Sequence, residues 1–291
     1  MPELSAPDFS LQATLLSGQA FRWTESQNGW FFGFLGQALV KVKQEGSRLF
    51  FESNDPAITA NRIQRYFALD IDYPSILSSI NVDMQVHEAI SRYRGLRILR
   101  QDSWETLASF ICSSFNNIKR IEGMIGRLCQ SYGAPVALNG LRGFGFPRPE
   151  KLAGVSERQL RSLGLGYRAP YLRQTARLVA DGKLPIGQLR RLDYASVKQA
   201  LLACEGVGDK VADCVALFGF EKYEAFPVDV WMERAMRYYF RHKKITRKAV
   251  YDYAHRRFGA YAGYAQQFLF HYIRNVCVRN NAQPVVSVSV N

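Results

Sequence analysis

Residues 201–232 read LLACEGVGDKVADCVALFGFEKYEAFPVDVWM. Their centre is Gly206-Val207-Gly208, with apolar residues at helical spacing on both sides: Ala203 before it, and Val211, Ala212, Val215 and Ala216 after it. That pattern predicts helix, tight glycine hairpin, helix over 201–220. Glycine permits φ > 0 and leaves the backbone bare. The amides of such a hairpin, and of the helix that follows, can approach an anion closely, and phosphate is the natural candidate. Lys210 sits two residues past the second glycine, and nineteen positions further on comes Asp229, in Pro227-Val228-Asp229-Val230. A Pro followed closely by Asp, ahead of Met232-Glu233-Arg234-Ala235-Met236, reads as a turn capping a new helix.

Outward from this stretch, composition bounds the partners. At 291 residues and 47% hydrophobic content the chain is long enough for two or three folded domains. Lys+Arg 38 against Asp+Glu 25 gives a net charge of +13, a surface that attracts polyanions, with nucleic acid the first partner to consider. The five cysteines (Cys112, Cys129, Cys204, Cys214, Cys277) are scattered without a CxxC pair, which points to a reducing, intracellular compartment. Neither they nor the four histidines have metal-ligand spacing, so no metal cofactor is expected. The start of the chain lacks a basic stretch followed by an apolar one, and no run approaches 18 apolar residues, so neither secretion nor a membrane partner is expected.

The order of patterns predicts an α+β chain. Residues 30–35, 38–43 and 48–52 alternate as strands of an antiparallel meander, with Ala38, Val40 and Val42 on one face and Leu39, Lys41 and Lys43 on the other. Asn54-Asp55-Pro56 is expected to open a helix running to about residue 68, and an amphipathic helix follows near 84–93. From Leu99 the pattern turns helical and stays so. Asp102 and Glu105 have capping-box spacing before an apolar stripe of Leu107, Phe110 and Ile111. Residues 140–149 read as a Gly/Pro-rich loop between helices, 160–180 and 194–204 as further helices, and Arg241-His242-Lys243-Lys244 as a basic turn. The expected division is an N-terminal antiparallel sheet domain with helices (1–98), a helical domain (99–190), a second helical domain with the hairpin and Asp229 (191–283), and a tail (284–291).

The hairpin, lysine and cap-position aspartate resemble the helix-hairpin-helix DNA glycosylases, and within them the 8-oxoguanine DNA glycosylase/lyase branch. Further motifs fall in that family's order: Ser17-Gly18-Gln19-Ala20-Phe21-Arg22-Trp23, Arg100-Gln101-Asp102, residues 109–114 (SFICSS), and Tyr261-Ala262-Gly263-Tyr264-Ala265-Gln266. The resemblance implies that the Gly18 carbonyl receives the N7 hydrogen of oxidised guanine, where normal guanine has an acceptor. It implies that Gln266 reads the Watson–Crick edge of the flipped base and that Phe270, four residues on and on the same helix face, stacks on it. Cys214, four residues after Lys210, would cover the other ring face. Arg120 and Arg168 match positions that recognise the cytosine left behind, which suits guanidinium donors. Tyr167 resembles the family's wedge into the duplex. Where the family has three asparagines after SFICSS, this chain has Phe115-Asn116-Asn117, and a phenyl ring fills a gap by stacking, without amide hydrogen bonds. Trp231 stands where the branch commonly has a histidine near the phosphate of the flipped nucleotide. Gly206, Val207 and Gly208 would grip backbone, with a monovalent cation on the hairpin's carbonyls.

The implied reaction is bifunctional. Lys210 as a neutral amine attacks C1′ and displaces the base, and the resulting Schiff base permits β-elimination. Asp229 stabilises the positive charge developing at C1′. The expected partner is double-stranded DNA carrying 8-oxoguanine opposite cytosine, bound by a monomer. Two other readings stand beside it: a monofunctional glycosylase for other damaged purines, in which Asp229 activates water, and a non-catalytic hairpin protein that only holds DNA backbone.

Overall fold

The computed structural model describes residues 1–239 and 246–280; the expected basic turn at Arg241 to Lys244 and the tail 284–291 lie outside them. Apolar–polar alternation builds a five-stranded antiparallel sheet from β1 (Glu3–Ser5), β2 (Thr24–Glu25), β3 (Trp30–Leu35), β4 (Ala38–Glu45) and β5 (Arg48–Ser53), in the order β1-β5-β4-β3-β2. Val40 and Val42 pack on one face with Phe31, Leu49 and Phe51, against α1 (Leu11–Leu15) and α2 (Ala60–Tyr66). Leu39, expected on the exposed face with Lys41, is nevertheless buried. A second hairpin, β6 (Pro135–Leu138) and β7 (Leu141–Phe144), covers that end of the sheet, with Gly143 against Phe34 and Leu39.

That hairpin corrects the expected 140–149 loop. Its turn is Asn139-Gly140, with φ of +49° and +85°. Asn-Gly favours a two-residue turn with positive φ at both positions, and that turn reverses the chain directly into β7. The helix expected from Pro56 starts instead at Ala60: Asp55 accepts from the Ala57 N–H at 2.9 Å, and this local turn competes with helix over 54–59. The helix expected over 160–180 is broken. It comprises α8 (Glu157–Leu160), a π turn (Arg161–Leu165) and α9 (Arg168–Ala180), because Gly164 and Gly166 take φ of +90° and +57°.

The remaining helices form one core. Preceding α8 are α3 (Tyr73–Ile80), α4 (Met84–Arg92), α5 (Ser103–Ser113), α6 (Ile118–Tyr132) and α7 (Pro149–Ala153); following α9 are α10 (Ile186–Leu189), α11 (Tyr194–Leu202), α12 (Asp209–Phe220), α13 (Val230–Tyr239), α14 (Arg247–Phe258) and α15 (Ala262–Asn280). Helix α12 lies at its centre, with residues 211–220 all buried, and packs on α5. The side chains of α3 and α4 (Tyr73, Ile76, Val86) join this helical core rather than the sheet's, packed against α15.

Candidate active site

The hairpin joins α11 to α12 as expected, with Gly206 at φ +79° and Gly208 as N-cap of α12. A Cβ on Gly206 would sit 2.4 Å from the Tyr171 ring, so close approach and backbone conformation both demand glycine. Helix α12 is fixed by the buried Asp213. It accepts from Tyr194 Oη at 2.6 Å and from Tyr251 Oη, and pairs with Lys198 Nζ at 3.0 Å. Three elements are thereby tied together behind Lys210.

One small cavity gathers residues from distant parts of the chain. Gly18 comes from the loop after α1, Phe110 from α5, Lys210, Cys214 and Phe218 from α12, Pro227 and Asp229 from the turn before α13, and Gln266, Gln267 and Phe270 from α15. All six residues assigned from the sequence to base binding or chemistry are among them. The cavity is small, with about 40 Å³ of space for water, and it opens to solvent.

The polar groups of this cavity differ in how far they are satisfied. Lys210 Nζ donates to Ser113 Oγ at 3.4 Å, lies 5.1 Å from the Phe110 ring centroid and lines the same cavity as Cys214. Burial pushes the Cys214 thiol up to about 12, against the pull of Lys210, so it presents a neutral, polarisable sulfur rather than a thiolate. Asp229 caps α13, accepting from the Met232 N–H at 2.8 Å and from the Trp231 N–H. Burial raises its carboxyl above the usual range, while those two donors and Lys210 favour its ionised form. Gln266 is 4% exposed, and its Oε1 is buried without a partner among the described residues. An orphaned acceptor costs about 1–3 kcal/mol, a penalty that a ligand's N–H would relieve.

The signature around Gly18 is built into the fold. Gly18 has φ +83°, and a Cβ there would meet Arg274 Nη1 at 2.6 Å, Ile118 Cδ1 at 3.0 Å and Phe270 Cε1 at 3.4 Å. Arg22 pairs with the half-buried Glu105 at 2.8 Å, and Trp23 Nε1 donates to Tyr66 Oη at 2.8 Å. Glu105 thus faces Arg22 instead of closing the expected capping box with Asp102, which still accepts from the Glu105 N–H.

A second group lies at the surface where α5, α6 and α9 meet. Phe115 is 100% exposed with φ +49°, a conformation that bulky side chains rarely adopt. Tyr167 is half-exposed, and its Oη donates to the Ser114 carbonyl at 3.1 Å. Arg120 is exposed on the first turn of α6, after Asn117 as its N-cap. Arg168 is turned inward: Nε donates to the Ser114 carbonyl at 3.1 Å, Nη2 donates to the same oxygen, and the guanidinium lies 4.4 Å from the Tyr167 ring. It therefore props the loop carrying Phe115, and reaching a base requires it to leave Ser114. Asn116 is held by the Cys112 carbonyl and Met124. Trp231 is half-buried at the start of α13.

Residues 3–107 match the model of the 8-oxoguanine DNA glycosylase N-terminal domain, and residues 108–258 match that of the HhH-GPD superfamily base excision DNA repair proteins. The chain belongs to the 8-oxoguanine DNA glycosylase family. A probable N-glycosylase/DNA lyase of Methanothermobacter thermautotrophicus is 31% identical, the match covering 92% of this chain and 94% of that one. Among solved structures, MBOgg1 in complex with a low-affinity DNA ligand is 35% identical with a TM-score of 0.90, covering 94% of this chain and 95% of that chain. The Clostridium acetobutylicum 8-oxoguanine glycosylase/lyase, in complex with double-stranded DNA containing cytosine opposite 8-oxoguanine, is 30% identical with a TM-score of 0.88, covering 97% and 99%. As in other members of the glycosylase family, the fold combines an N-terminal antiparallel sheet with a mostly helical remainder.

Sequence reasoning missed Phe110, Phe218, Pro227, Gln267 and Ser113. Phe110 and Ser113 lie inside the 109–114 motif and Pro227 in the turn before Asp229, where each reads as scaffold, while Phe218 sits in a run that reads as plain core. Gln267 carried a signal of its own, a polar residue inside an apolar run beside Gln266. Among the described residues no group of three or more His, Cys, Asp or Glu is placed to hold a metal ion, and no helix is long and apolar enough to cross a membrane.

Proposed function

We propose that this chain excises 8-oxoguanine opposite cytosine from double-stranded DNA and then cleaves the strand through a Schiff base. The observation that carries the reading is the convergence of Lys210, Asp229, Cys214, Gln266, Phe270 and Gly18 on one cavity. The extruded base stacks between Phe270 and the neutral Cys214 sulfur. The buried Gln266 Oε1 accepts from the donors of its Watson–Crick edge, and Gly18 O accepts its N7–H. The Lys210 amine forms a bond to C1′ as the C1′–N9 bond breaks, the electron pair leaving with the base, which takes up the proton the amine sheds. Asp229, ionised and aimed by the N-terminus of α13, stabilises the positive charge on the sugar. Ring opening gives an iminium, loss of a C2′ proton follows, and the 3′ C–O bond breaks.

Phe115, strained and fully exposed, fills the space left in the duplex, with Tyr167 beside it and Asn116 behind it. Arg120 faces the unpaired cytosine, and Arg168 joins it on release from Ser114. The amides at Gly206, Val207 and Gly208 hold phosphate, Trp231 lies beside the phosphate of the flipped nucleotide, and the hairpin carbonyls are the place for a monovalent cation. The chain acts as a monomer, inside the cell on its DNA, with functional units divided near residues 98 and 190.

The test is a duplex carrying 8-oxoguanine opposite each of the four bases, incubated with and without borohydride. Wild type is expected to be trapped covalently, most strongly opposite cytosine, and Lys210→Gln not at all. Excision without trapping would shift the reading to water activation by Asp229; no excision opposite any base would leave DNA binding alone.

A further inference from the structure

The loop presenting Gly18 has an unusual pattern of carbonyl partners. Thr14 O accepts from Ser17 Oγ at 2.8 Å and from Gln19 Nε2 at 3.1 Å. Leu16 O accepts from Arg274 Nη2 at 2.6 Å, Ser17 O from Gln267 Nε2 at 3.1 Å, and Gln19 O from Gln101 Nε2 at 2.8 Å. Between them, the Gly18 carbonyl receives no donor among the described residues. Side chains thus occupy the neighbouring acceptors on both sides and leave one unclaimed.

Two of these donors come from a single stripe of α15. Gln267, Phe270 and Arg274 are spaced three and four apart, so they share a helix face with the proposed stacking ring between the two donors. Gln267 is 2% exposed. Arg274 is half-buried, its guanidinium carbon 5.5 Å from the Phe270 ring centroid, and its Nη1 is buried without a partner against the face of Gly18. A guanidinium taken from water and only partly hydrogen-bonded is costly, which makes a purely structural filler of this kind a poor choice.

We infer that Arg274 and Gln267 are positioning residues for lesion recognition, clamping the Leu16 and Ser17 carbonyls so that only the Gly18 carbonyl is left to meet N7–H of the base on Phe270. The inference rests on the reading of Gly18 given above. Because both clamps and the stacking ring ride on one rigid helix, the acceptor and the ring plane stay in register. A displaced carbonyl would lose its discrimination between a donor and a non-donor at N7 without touching the chemistry at C1′.

The experiment compares wild type, Arg274→Leu, Arg274→Lys and Gln267→Leu on three duplexes: 8-oxoguanine, its N7-methyl derivative, and a preformed abasic site, each opposite cytosine. Abasic-strand cleavage requires the folded enzyme and Lys210 but no base recognition, so it separates misfolding from mispositioning. Wild type is expected to prefer 8-oxoguanine strongly over the N7-methyl base. Arg274→Leu and Gln267→Leu are expected to lose at least about tenfold in single-turnover excision of 8-oxoguanine and most of that preference, with abasic cleavage within about twofold of wild type; Arg274→Lys, which retains charge and one donor, recovers part of both. Wild-type preference in the Leu variants, or excision and abasic cleavage falling in parallel in all three variants, overturns the inference. Equal excision of the two bases by wild type overturns the Gly18 reading beneath it.

Discussion

Replacing Gly18 by alanine tests the base pocket at its most constrained point. At φ +83° an L side chain costs about 1–2 kcal/mol relative to glycine. The new methyl would stand 2.6 Å from Arg274 Nη1 and 3.0 Å from Ile118 Cδ1, and crowding of this kind costs about 1–3 kcal/mol. The Arg274 tip can retreat, but only by straining its bond to Leu16 O, so the two terms combine to an expected loss of about 2–5 kcal/mol of stability. Urea unfolding at fixed pH measures it. Moving the carbonyl away from N7–H leaves a buried donor unpaired, worth about 1–3 kcal/mol, or roughly 5- to 150-fold in excision rate. Single-turnover excision measures that, with cleavage of a preformed abasic site as the control that stays near wild type. A folded Gly18→Ala that removes 8-oxoguanine at the wild-type rate would refute the reasoning, since the carbonyl would then have no part in recognition.

Three other perturbations probe separate parts of the molecule. Asp229→Asn can still cap α13 through its amide oxygen and is expected to fold, but to lose about 100-fold in the chemical step; a single-turnover rate near wild type would remove Asp229 from the reaction. The wild-type rate should also fall with decreasing pH through an apparent pKa above the ordinary carboxylate value, because burial raises Asp229, and a limb at the ordinary value would contradict this. Phe115→Ala removes a ring that is fully exposed, so unfolding should shift by less than about 0.5 kcal/mol, while excision from duplex falls about tenfold; unchanged excision would exclude the gap-filling role. Burial pushes Glu105 up to about 7 despite Arg22, above its unfolded value. Its contribution to stability is therefore full below the unfolded value and is lost as pH rises through about 7, by at most about 3 kcal/mol. Comparing urea unfolding of wild type and Glu105→Gln at pH 5 and pH 8 checks it, the variant lacking this slope; identical slopes would count against a raised Glu105.

Local chemistry determined a large part of this protein. The glycine hairpin, the Asp229 cap and the β3–β5 meander follow from φ requirements, capping and alternation, which act over a few residues and are written in the sequence. The pairing of Lys210 with Cys214 follows from helical spacing alone. Where two local signals competed, the reading failed: the Asx turn at Asp55 displaced a proline-led helix, and the Asn139-Gly140 turn made a hairpin inside a segment rich in glycine and proline. The family motifs marked Gly18, Gln266 and Phe270 as a set, but nothing in their spacing says that residues about 250 positions apart touch. Only tertiary packing set Gly18 against Phe270 and Arg274, drew α3 and α4 into the helical core beneath α15, turned Arg168 onto Ser114 and left Phe115 bare. Those outcomes depend on which apolar faces find each other across the chain, and such long-range pairing is selected by the summed burial of whole faces, which no short stretch of sequence contains.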